Sequence, residues 1–337
     1  MVSGLVISLI AGFVAFAATW LILRNARRLG VIQAPNERSS HTVPTPSGGG
    51  AGIVAGGAIA TGFAALHAPV TALLVLATSL IIAAIGFYDD RKPLRASLRL
   101  VAQILLLAVT IVIAVPLAAL TGGLLQPLLV LLLVLAGTYW INLFNFMDGI
   151  DGLAASQAVF MLLGAAFLAF AGTAEVVDEP NLWWLIAFAA ATLGFLPLNW
   201  PPAKIFMGDA GSTYLGFVIA VAALLTVAWG WLSPWQWLIV GAAFVTDATI
   251  TLARRLLMRE KVFEAHRRHA YQVLSRRWQS HRRVTLAFVA TNLVWLLPLA
   301  FLAGVQPGYA PVLIVIAYAP LAILAVLAGA GAPEAEA

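Results

Sequence analysis

Six aspartates stand out in a chain that is otherwise strongly apolar: Asp89, Asp90, Asp148, Asp151, Asp209 and Asp247. A carboxylate in apolar surroundings is tolerated when it is paired, protonated or bound to a cation. Carboxylates that meet in one place can bind a divalent cation or transfer a proton. The pattern therefore predicts one polar site assembled from residues that are far apart in the chain.

Asp89 and Asp90 are adjacent at the end of an apolar run, in the sequence IGFYDDRKPL. Carboxylates are disfavoured at a helix C-terminus because the helix dipole is negative there, and the two also repel each other. One interpretation is a solvated turn whose charge is balanced by Arg91, Lys92 and Arg95. The alternative is that a cation or a transferable proton makes the pair tolerable.

A polar loop with the sequence NLFNFMDGIDGLA follows the fifth apolar run. Asn142, Asn145 and Asp148 recur every three residues, so they can line one helical face. The glycines that follow allow a tight bend in which Asp148 and Asp151 point inward. An ordinary turn is the alternative, but the length of the motif and its place between two apolar helices favour a functional site.

Asp209 lies in the sequence KIFMGDAGSTYLG, before another apolar run. Asp209 and Ser212 are both candidate N-caps of the following helix. The N-terminus of a helix, where backbone N–H groups are free, also binds anions. In that position Asp209 can bind a metal ion while nearby backbone N–H groups face a phosphate.

His266 and His269 flank two arginines in the sequence EKVFEAHRRHAYQVLSRRW. The segment predicts an amphipathic helix with both imidazoles on one face. A basic helix lying on anionic lipid is one interpretation, and a zinc site is disfavoured because no third ligand is evident. We favour contact with a diphosphate, which guanidinium and imidazole groups suit. An earlier polar loop carrying Arg38, Ser40 and His41 is a further candidate border of the site.

The composition defines the class of protein that must position these residues. Of the 337 residues 62% are hydrophobic and 10% are charged, and the mean hydropathy is +0.97. Soluble domains carry about 25% charged residues, so a water-soluble, disordered or nucleic-acid-binding protein is excluded. The absence of cysteine excludes disulfides, iron–sulfur clusters, a thiolate nucleophile and a cysteine-type zinc site.

Unbroken apolar runs of nearly twenty residues predict a polytopic, all-α membrane helix bundle in one domain, residues 1–337. The motifs occupy residues 38–272, and a basic loop occupies residues 254–283. We predict eleven spans, at residues 4–23, 48–66, 70–88, 99–116, 124–141, 153–171, 182–198, 212–229, 235–253, 284–302 and 310–330.

The basic residues indicate the topology of this bundle. With these spans, all 19 Lys and Arg residues fall on one side or at helix ends that face it. Positive residues accumulate on the cytoplasmic side of membrane proteins. The positive net charge is therefore a topology signal, and the N-terminus is predicted outside with the C-terminus and the aspartate-rich site on the cytoplasmic side.

Together the motifs resemble those of the polyprenyl-phosphate N-acetylhexosamine-1-phosphate transferases, the glycosyltransferase 4 family of integral membrane enzymes. The resemblance keeps the family's motif order, with the aspartate pair, the Asn-x-x-Asn-x-x-Asp-Gly-x-Asp-Gly loop at 142–152, Phe-Met-Gly-Asp-x-Gly-Ser at 206–212 and the histidine loop at 266–269. Two features depart from the family pattern. His-Arg-Arg-His replaces the adjacent histidines of the muramoyl-pentapeptide branch, and Ser47 stands where relatives often carry a basic residue. The chain is therefore closer to the branch that initiates O-antigen and other surface polysaccharides.

The resemblance implies transfer of N-acetylhexosamine 1-phosphate from a UDP-sugar to undecaprenyl phosphate in the bacterial inner membrane, with release of UMP. It implies Mg²⁺, or Mn²⁺ in its place, bound by Asn145 and Asp209. It assigns catalysis to Asp89, Asp90 and Asp148, with one of the adjacent pair deprotonating or positioning the lipid phosphate. It assigns substrate contacts to Asn142, Asp151, His266, Arg267 and His269, with Asp247 supporting the site from behind.

Two alternatives remain open at this point. One is a phospho-N-acetylmuramoyl-pentapeptide-type transferase. The other is a secondary transporter that couples cations through embedded carboxylates such as Asp247, although transport sites lie near the bilayer midplane and these acids collect at one surface.

Overall fold

The structure is a computed structural model that describes residues 1–33, 43–116, 126–260 and 266–333. Within these ranges the chain is helical apart from short connections and one antiparallel pair of two-residue strands, in which Ile32 lies opposite Pro46. The prediction of an all-α bundle is confirmed. The loop that carries Arg38, Ser40 and His41 lies outside the described residues.

The helices follow one another along the chain, with strands β1 (Ile32–Gln33) and β2 (Thr45–Pro46) between the first two. They are α1 (Val2–Leu29), α2 (Gly50–Ala65), α3 (Pro69–Asp89), α4 (Ala96–Ala114), α5 (Gln126–Phe146), α6 (Leu153–Gly172), α7 (Pro180–Asn199), α8 (Asp209–Ala228), α9 (Pro234–Val240), α10 (Ala242–Leu257), α11 (Ala270–Arg277), α12 (His281–Thr291), α13 (Leu297–Val305) and α14 (Ala310–Ala328). A π-helical segment, Asn292–Leu296, joins α12 to α13.

Each predicted span coincides with a helical segment, but two of them differ from a simple crossing. Among the described residues, nine helices are long and apolar enough to cross a membrane, or ten if the bent pair α9 and α10 forms one span. Helix α2 is apolar but has only 16 residues. The ninth predicted span, residues 235–253, corresponds to this pair, in which α9 and α10 meet at an angle of 71°.

Polar side chains from two other helices contact the end of α9. The Gln157 side-chain amide donates to the Val240 carbonyl at 3.1 Å. The Asn292 amide in turn donates to the Gln157 oxygen at 2.7 Å. Backbone groups within a bilayer need internal partners, and this relay supplies one for the carbonyl beside the bend.

Helices α8 and α6 form the centre of the bundle, with 83% and 78% of their membrane-length windows buried. Helix α8 packs against α2, α3 and α5. Its N-terminal residue, Asp209, is therefore surrounded by the ends of neighbouring helices.

Small residues allow α8 to approach its neighbours. A Cβ atom on Gly50 would overlap the Gly211 backbone, and one on Gly86 would lie 2.6 Å from the Asp209 carbonyl oxygen. The backbones of α2 and α3 therefore touch α8 directly, close to the aspartate-rich end.

We expect Gly86→Ala to destabilise the protein by about 1–3 kcal/mol, because the added methyl group must force α3 away from α8. Gly62→Ala is the matched control, since nothing lies within 4 Å of a Cβ atom built at that helical glycine. The control should be neutral or stabilising by ~0.5–1 kcal/mol, because alanine favours a helix. Thermal unfolding in detergent, followed by tryptophan fluorescence, measures both; equal melting temperatures would contradict the close approach.

Candidate active site

Asp209 lies where the C-terminal end of α5 and the first turn of α4 meet the N-terminus of α8. The Asn145 amide donates to Asp209 Oδ1 at 3.0 Å and to Ser212 Oγ at 2.8 Å. Arg99 Nη1 donates to Asp209 Oδ2 at 3.0 Å. Both oxygens of Asp209 are thus held by groups from two other helices.

Asp89, the last residue of α3, joins the same cluster. Arg99 Nη1 also donates to Asp89 Oδ2, at 2.5 Å, and the Leu94 backbone N–H donates to Asp89 Oδ1 at 2.6 Å. A single guanidinium nitrogen therefore bridges Asp89 and Asp209. Sequence reasoning missed Arg99 as a site residue; its signal was a lone arginine entering an apolar run ten residues after the aspartate pair.

Asp90 caps helix α8 from another helix. Its Oδ1 accepts from the Asp209 backbone N–H at 2.8 Å, and its Oδ2 accepts from that of Ala210 at 3.2 Å. The prediction that Asp209 or Ser212 provides the cap is wrong, because Gly208 occupies the N-cap position and the carboxylate comes from Asp90. Burial raises the pKa of Asp90, although the two backbone N–H groups act in the opposite direction.

Among the described residues, no hydrogen-bond donor is seen for the side-chain carboxylate of Asp148. It lies just beyond the end of α5 and is half-buried. Burial raises its pKa well above the ordinary value, and the negative charges of Asp209, Asp90 and Asp151 act in the same direction. The structure therefore brings Asp89, Asp90, Asp148 and Asp209 together, as the sequence predicted.

Asp151 lies close enough to Asp148 for its charge to raise the pKa of that carboxyl, but its own side-chain contacts are to other segments. Its Oδ2 accepts from the Ala203 backbone N–H at 3.0 Å, and its Oδ1 lies 3.2 Å from His281 Nδ1. The Thr285 hydroxyl donates to its carbonyl at 2.9 Å. Asp151 thus ties the polar loop to the first turn of α12, and sequence reasoning did not identify His281 as its partner.

Asp151, Ala203 and His281 border an open cavity of about 690 Å³. Its lining is rich in cationic and polar groups: Asp151, Arg267, Arg276, His281 and Arg282. The Arg276 guanidinium donates to the Arg267 carbonyl at 2.8 Å, which fixes the position of that backbone. An anionic ligand of considerable size fits this charge and volume.

Asn142 lies one turn deeper in α5 than Asn145. Its amide donates to Gln103 Oε1 of α4 at 2.6 Å and to the Thr138 carbonyl at 2.8 Å. Because α5 ends at Phe146, the three-residue spacing does not carry Asp148 onto the same helical face, and that part of the prediction is wrong. A substrate contact by Asn142 stays a prediction.

The predicted amphipathic helix is found over Ala270–Arg277, but residues 266–269, which carry both histidines, are not helical. Helix α11 begins at Ala270, with His269 as its N-cap. The two imidazole rings nevertheless lie 4.9 Å apart. Burial, with His269 and then Arg255 and Arg268 acting in the same direction, lowers the pKa of His266 to about 3. His266 is therefore a neutral hydrogen-bonding group at physiological pH.

Asp247 holds this segment in place from inside α10. Its carboxylate is only 3% exposed and accepts from the backbone N–H groups of Ala270 and Tyr271 at 2.8 and 2.9 Å. His269 Nδ1 lies 3.3 Å from the same carboxylate. The Tyr271 hydroxyl donates to the Phe146 carbonyl at 2.9 Å. Helix α11 is thereby joined to the loop that carries Asp148.

Asn145 and Asp209 fit a magnesium ion whose remaining ligands would be water and substrate phosphate oxygens. The described residues contain no group of three or more acidic or histidine side chains arranged to hold a metal ion. Magnesium commonly takes one or two protein carboxylates, keeps several waters and adds substrate phosphates. Asn145 and Asp209 offer oxygen donors, and the guanidinium nitrogen between Asp89 and Asp209 marks a position that favours positive charge.

Comparison with known proteins places the chain among membrane transferases. Residues 72–227 match the model of glycosyl transferase family 4. The chain is 31% identical over 315 residues to decaprenyl-phosphate N-acetylglucosaminephosphotransferase of Mycobacterium leprae, covering 83% of this chain and 79% of the relative. It is 28% identical over 319 residues to a probable undecaprenyl-phosphate N-acetylglucosaminyl 1-phosphate transferase of Bacillus subtilis, covering 86% and 83%.

A muramoyl-type relative matches over a much shorter stretch. The chain is 44% identical to phospho-N-acetylmuramoyl-pentapeptide-transferase of Heliobacterium modesticaldum, but over only 105 residues, 31% of this chain and 30% of the relative. The full-length similarity thus lies with N-acetylglucosamine-phosphate transferases, in agreement with the branch that the His-Arg-Arg-His sequence favoured. The resemblance found in the motifs is confirmed, and the chain belongs to glycosyl transferase family 4.

Proposed function

We propose that the protein transfers N-acetylhexosamine 1-phosphate from a UDP-sugar to undecaprenyl phosphate, forms a lipid diphosphate sugar and releases UMP. The observation that carries this proposal is the convergence of Asp89, Asp90, Asp148 and Asp209. Asp151, from the same loop as Asp148, lines a basic cavity. Relatives named as transferases acting on decaprenyl or undecaprenyl phosphate support the acceptor class. The product initiates a surface polysaccharide.

Magnesium, with Mn²⁺ as a substitute, is the proposed cofactor, held by Asn145 and Asp209. When bound, it neutralises charge on the diphosphate that is attacked. The all-oxygen donor set and the absence of cysteine support a hard cation.

The four carboxylates have different tasks in this proposal. Asp90 fixes the N-terminus of α8 and Asp89 fixes Arg99, so both position the site through contacts already made. Asp148 has its carboxylate available, and its raised pKa suits it to accept a proton from the acceptor phosphate. A phosphate monoester has a second pKa of about 6, so the acceptor is largely dianionic at neutral pH. Orienting the phosphate is then the larger contribution.

In this proposal the UDP-sugar occupies the cavity of about 690 Å³. Arg267 and Arg282 line that cavity and suit the diphosphate. His266, as a neutral group, and His269 precede α11 and are the proposed hydrogen-bonding partners of the sugar or the diphosphate. Asp151 shapes the wall through its contacts with Ala203 and His281.

We further propose that this site faces the cytoplasm from the bacterial inner membrane, with the N-terminus outside. The support is the placement of all 19 basic residues on one side of the predicted spans. UDP-sugars are soluble and the acceptor is a membrane lipid, so a site at the membrane surface gives both substrates access.

The test is UMP release by the purified protein supplied with undecaprenyl phosphate, Mg²⁺ and each of several UDP-sugars. We expect UDP-N-acetylglucosamine or a 6-deoxy relative to be used, no UMP when EDTA replaces Mg²⁺, and recovery on adding the metal. Use of UDP-N-acetylmuramoyl-pentapeptide alone would instead support the muramoyl-type alternative.

The transporter alternative loses its main support in the structure. Asp247 was its candidate coupling carboxylate, but it already accepts from two backbone N–H groups and contacts His269. Cation-driven uptake into sealed vesicles without UMP release in detergent would restore that alternative and contradict our proposal.

A further inference from the structure

Arg99 places its guanidinium between two carboxylates of the acidic cluster. Its Nη1 atom lies 2.5 Å from Asp89 Oδ2 and 3.0 Å from Asp209 Oδ2, so one nitrogen serves two carboxylates from different helices. Its neighbours Arg91 and Arg95 do not take this role: Arg91 stacks over the Phe87 ring at 4.3 Å, and Arg95 is exposed. In the described ranges, Arg99 is the basic side chain that forms ion pairs with these acids.

A metal ion and this guanidinium compete for the same oxygen. A Mg²⁺ ligand oxygen lies about 2.0–2.1 Å from the ion, whereas Nη1 already lies 3.0 Å from Asp209 Oδ2. The two cations would repel each other at the separation that shared contact requires. Since the side chains of Arg99 and Asp209 are both 33% exposed, their ion pair is weak and can be exchanged.

We propose that Arg99 is a displaceable counter-ion of the acidic site. It holds Asp89 and Asp209 together while no metal is bound, and it releases Asp209 when the divalent ion binds. The contact with Asp89, which is 8% exposed, keeps the side chain beside the site after the exchange. The released N–H donors then face the phosphate that accompanies the ion. This inference rests on the divalent-ion site of the proposed function and adds a residue that competes with the ion.

For a variant without the arginine, the proposal predicts tighter metal binding, whereas loss of a metal ligand or of a merely structural residue would weaken it. Loss of the arginine removes a competitor, so the metal should bind more tightly. Loss of the same charge leaves Asp89 and Asp209 unpaired, so the metal-free protein should melt at a lower temperature. A residue that only supports the fold would lower stability and weaken metal binding together.

The experiment uses the full-length protein in detergent with Mn²⁺ alone as the probe, because free Mn²⁺ is counted by electron paramagnetic resonance. Arg99→Met removes the charge at similar length, Arg99→Lys keeps it, and Arg95→Met is a control one turn earlier on the exposed surface. We expect Arg99→Met to bind Mn²⁺ about tenfold more tightly than wild type, a difference of roughly 1.4 kcal/mol. Arg99→Lys and Arg95→Met should bind it as wild type does.

Melting temperatures in EDTA and in saturating Mn²⁺ complete the test. Arg99→Met should melt below wild type in EDTA and recover most of the difference in Mn²⁺. Unchanged or weaker Mn²⁺ binding by Arg99→Met overturns the counter-ion role but leaves the metal site standing. Absence of Mn²⁺ binding by wild type overturns the metal site itself, and the inference with it. If Arg99→Met does not fold, Arg99→Lys must retain wild-type affinity, and a weaker affinity overturns the role.

Discussion

Asp209→Asn is expected to lower UMP release about a thousandfold, a loss of roughly 4 kcal/mol in transition-state stabilisation. The variant keeps the shape of the side chain but removes the charge that we assign to the metal. It also places an amide N–H₂ opposite either Arg99 or Asn145, each of which donates to an Asp209 oxygen in the structure. Steady-state UMP release with undecaprenyl phosphate and Mg²⁺ measures the effect.

The matched control is Asp178→Asn, which removes an exposed carboxylate from the connection between α6 and α7. It should retain wild-type activity, because that residue lies on the opposite predicted side of the membrane from the motifs. Asp209→Asn should also purify as a folded protein, since Asp90 caps the backbone of α8 without using the Asp209 side chain. Activity within a few-fold of wild type would remove Asp209 from the metal site.

The sequence predicted the helical elements well because lipid permits few alternatives. Every backbone group in a bilayer needs an internal partner, so a long apolar run must be a helix. Polar residues interrupting such runs were conspicuous for the same reason, and they identified the acidic cluster. Hydropathy carries no information about bends, however, and the angle between α9 and α10 depends on contacts such as the one between Gln157 and the Val240 carbonyl.

The partners inside the site were not predictable from local sequence. Asp90 caps a helix that begins more than a hundred residues later, and Arg99 pairs with an acid 110 residues away. Local rules instead favoured a cap by Asp209 or Ser212 and a helix through His266 and His269. Both expectations failed because tertiary donors and acceptors replaced the local ones.

The same structural device occurs twice around the proposed site. Asp90 accepts from the first two N–H groups of α8, and Asp247 accepts from the first two of α11. In each case a carboxylate on one helix fixes the N-terminus of another, where the helix dipole favours negative charge. The first pairing positions Asp209 and the second positions His269, so both sides of the site depend on contacts between helices.

Asp247→Asn is expected to lower kcat about tenfold to a hundredfold without changing Mn²⁺ affinity. An asparagine can accept one of the two backbone N–H bonds but sets its own N–H₂ against the other, and a buried unsatisfied donor costs about 1–3 kcal/mol. The start of α11 should loosen, and with it His269 and the Tyr271 contact to the Phe146 carbonyl. Mn²⁺ affinity should stay constant because the side-chain hydrogen bonds of Asn145 and Asp209 join them to each other, to Ser212 and to Arg99.

Thr251→Val is the control for this change, since its hydroxyl donates to Asp247 at 3.3 Å but holds nothing in α11. Removing that single donor leaves both backbone contacts in place, so kcat should stay within a few-fold of wild type. If Asp247→Asn weakened Mn²⁺ binding as strongly as it lowered kcat, the residue would act on the acidic cluster itself. A fall in kcat without a change in Mn²⁺ affinity would show that the two sides of the site have different tasks. The metal would then be held on the α8 side, and the groups that contact the UDP-sugar would lie on the α11 side.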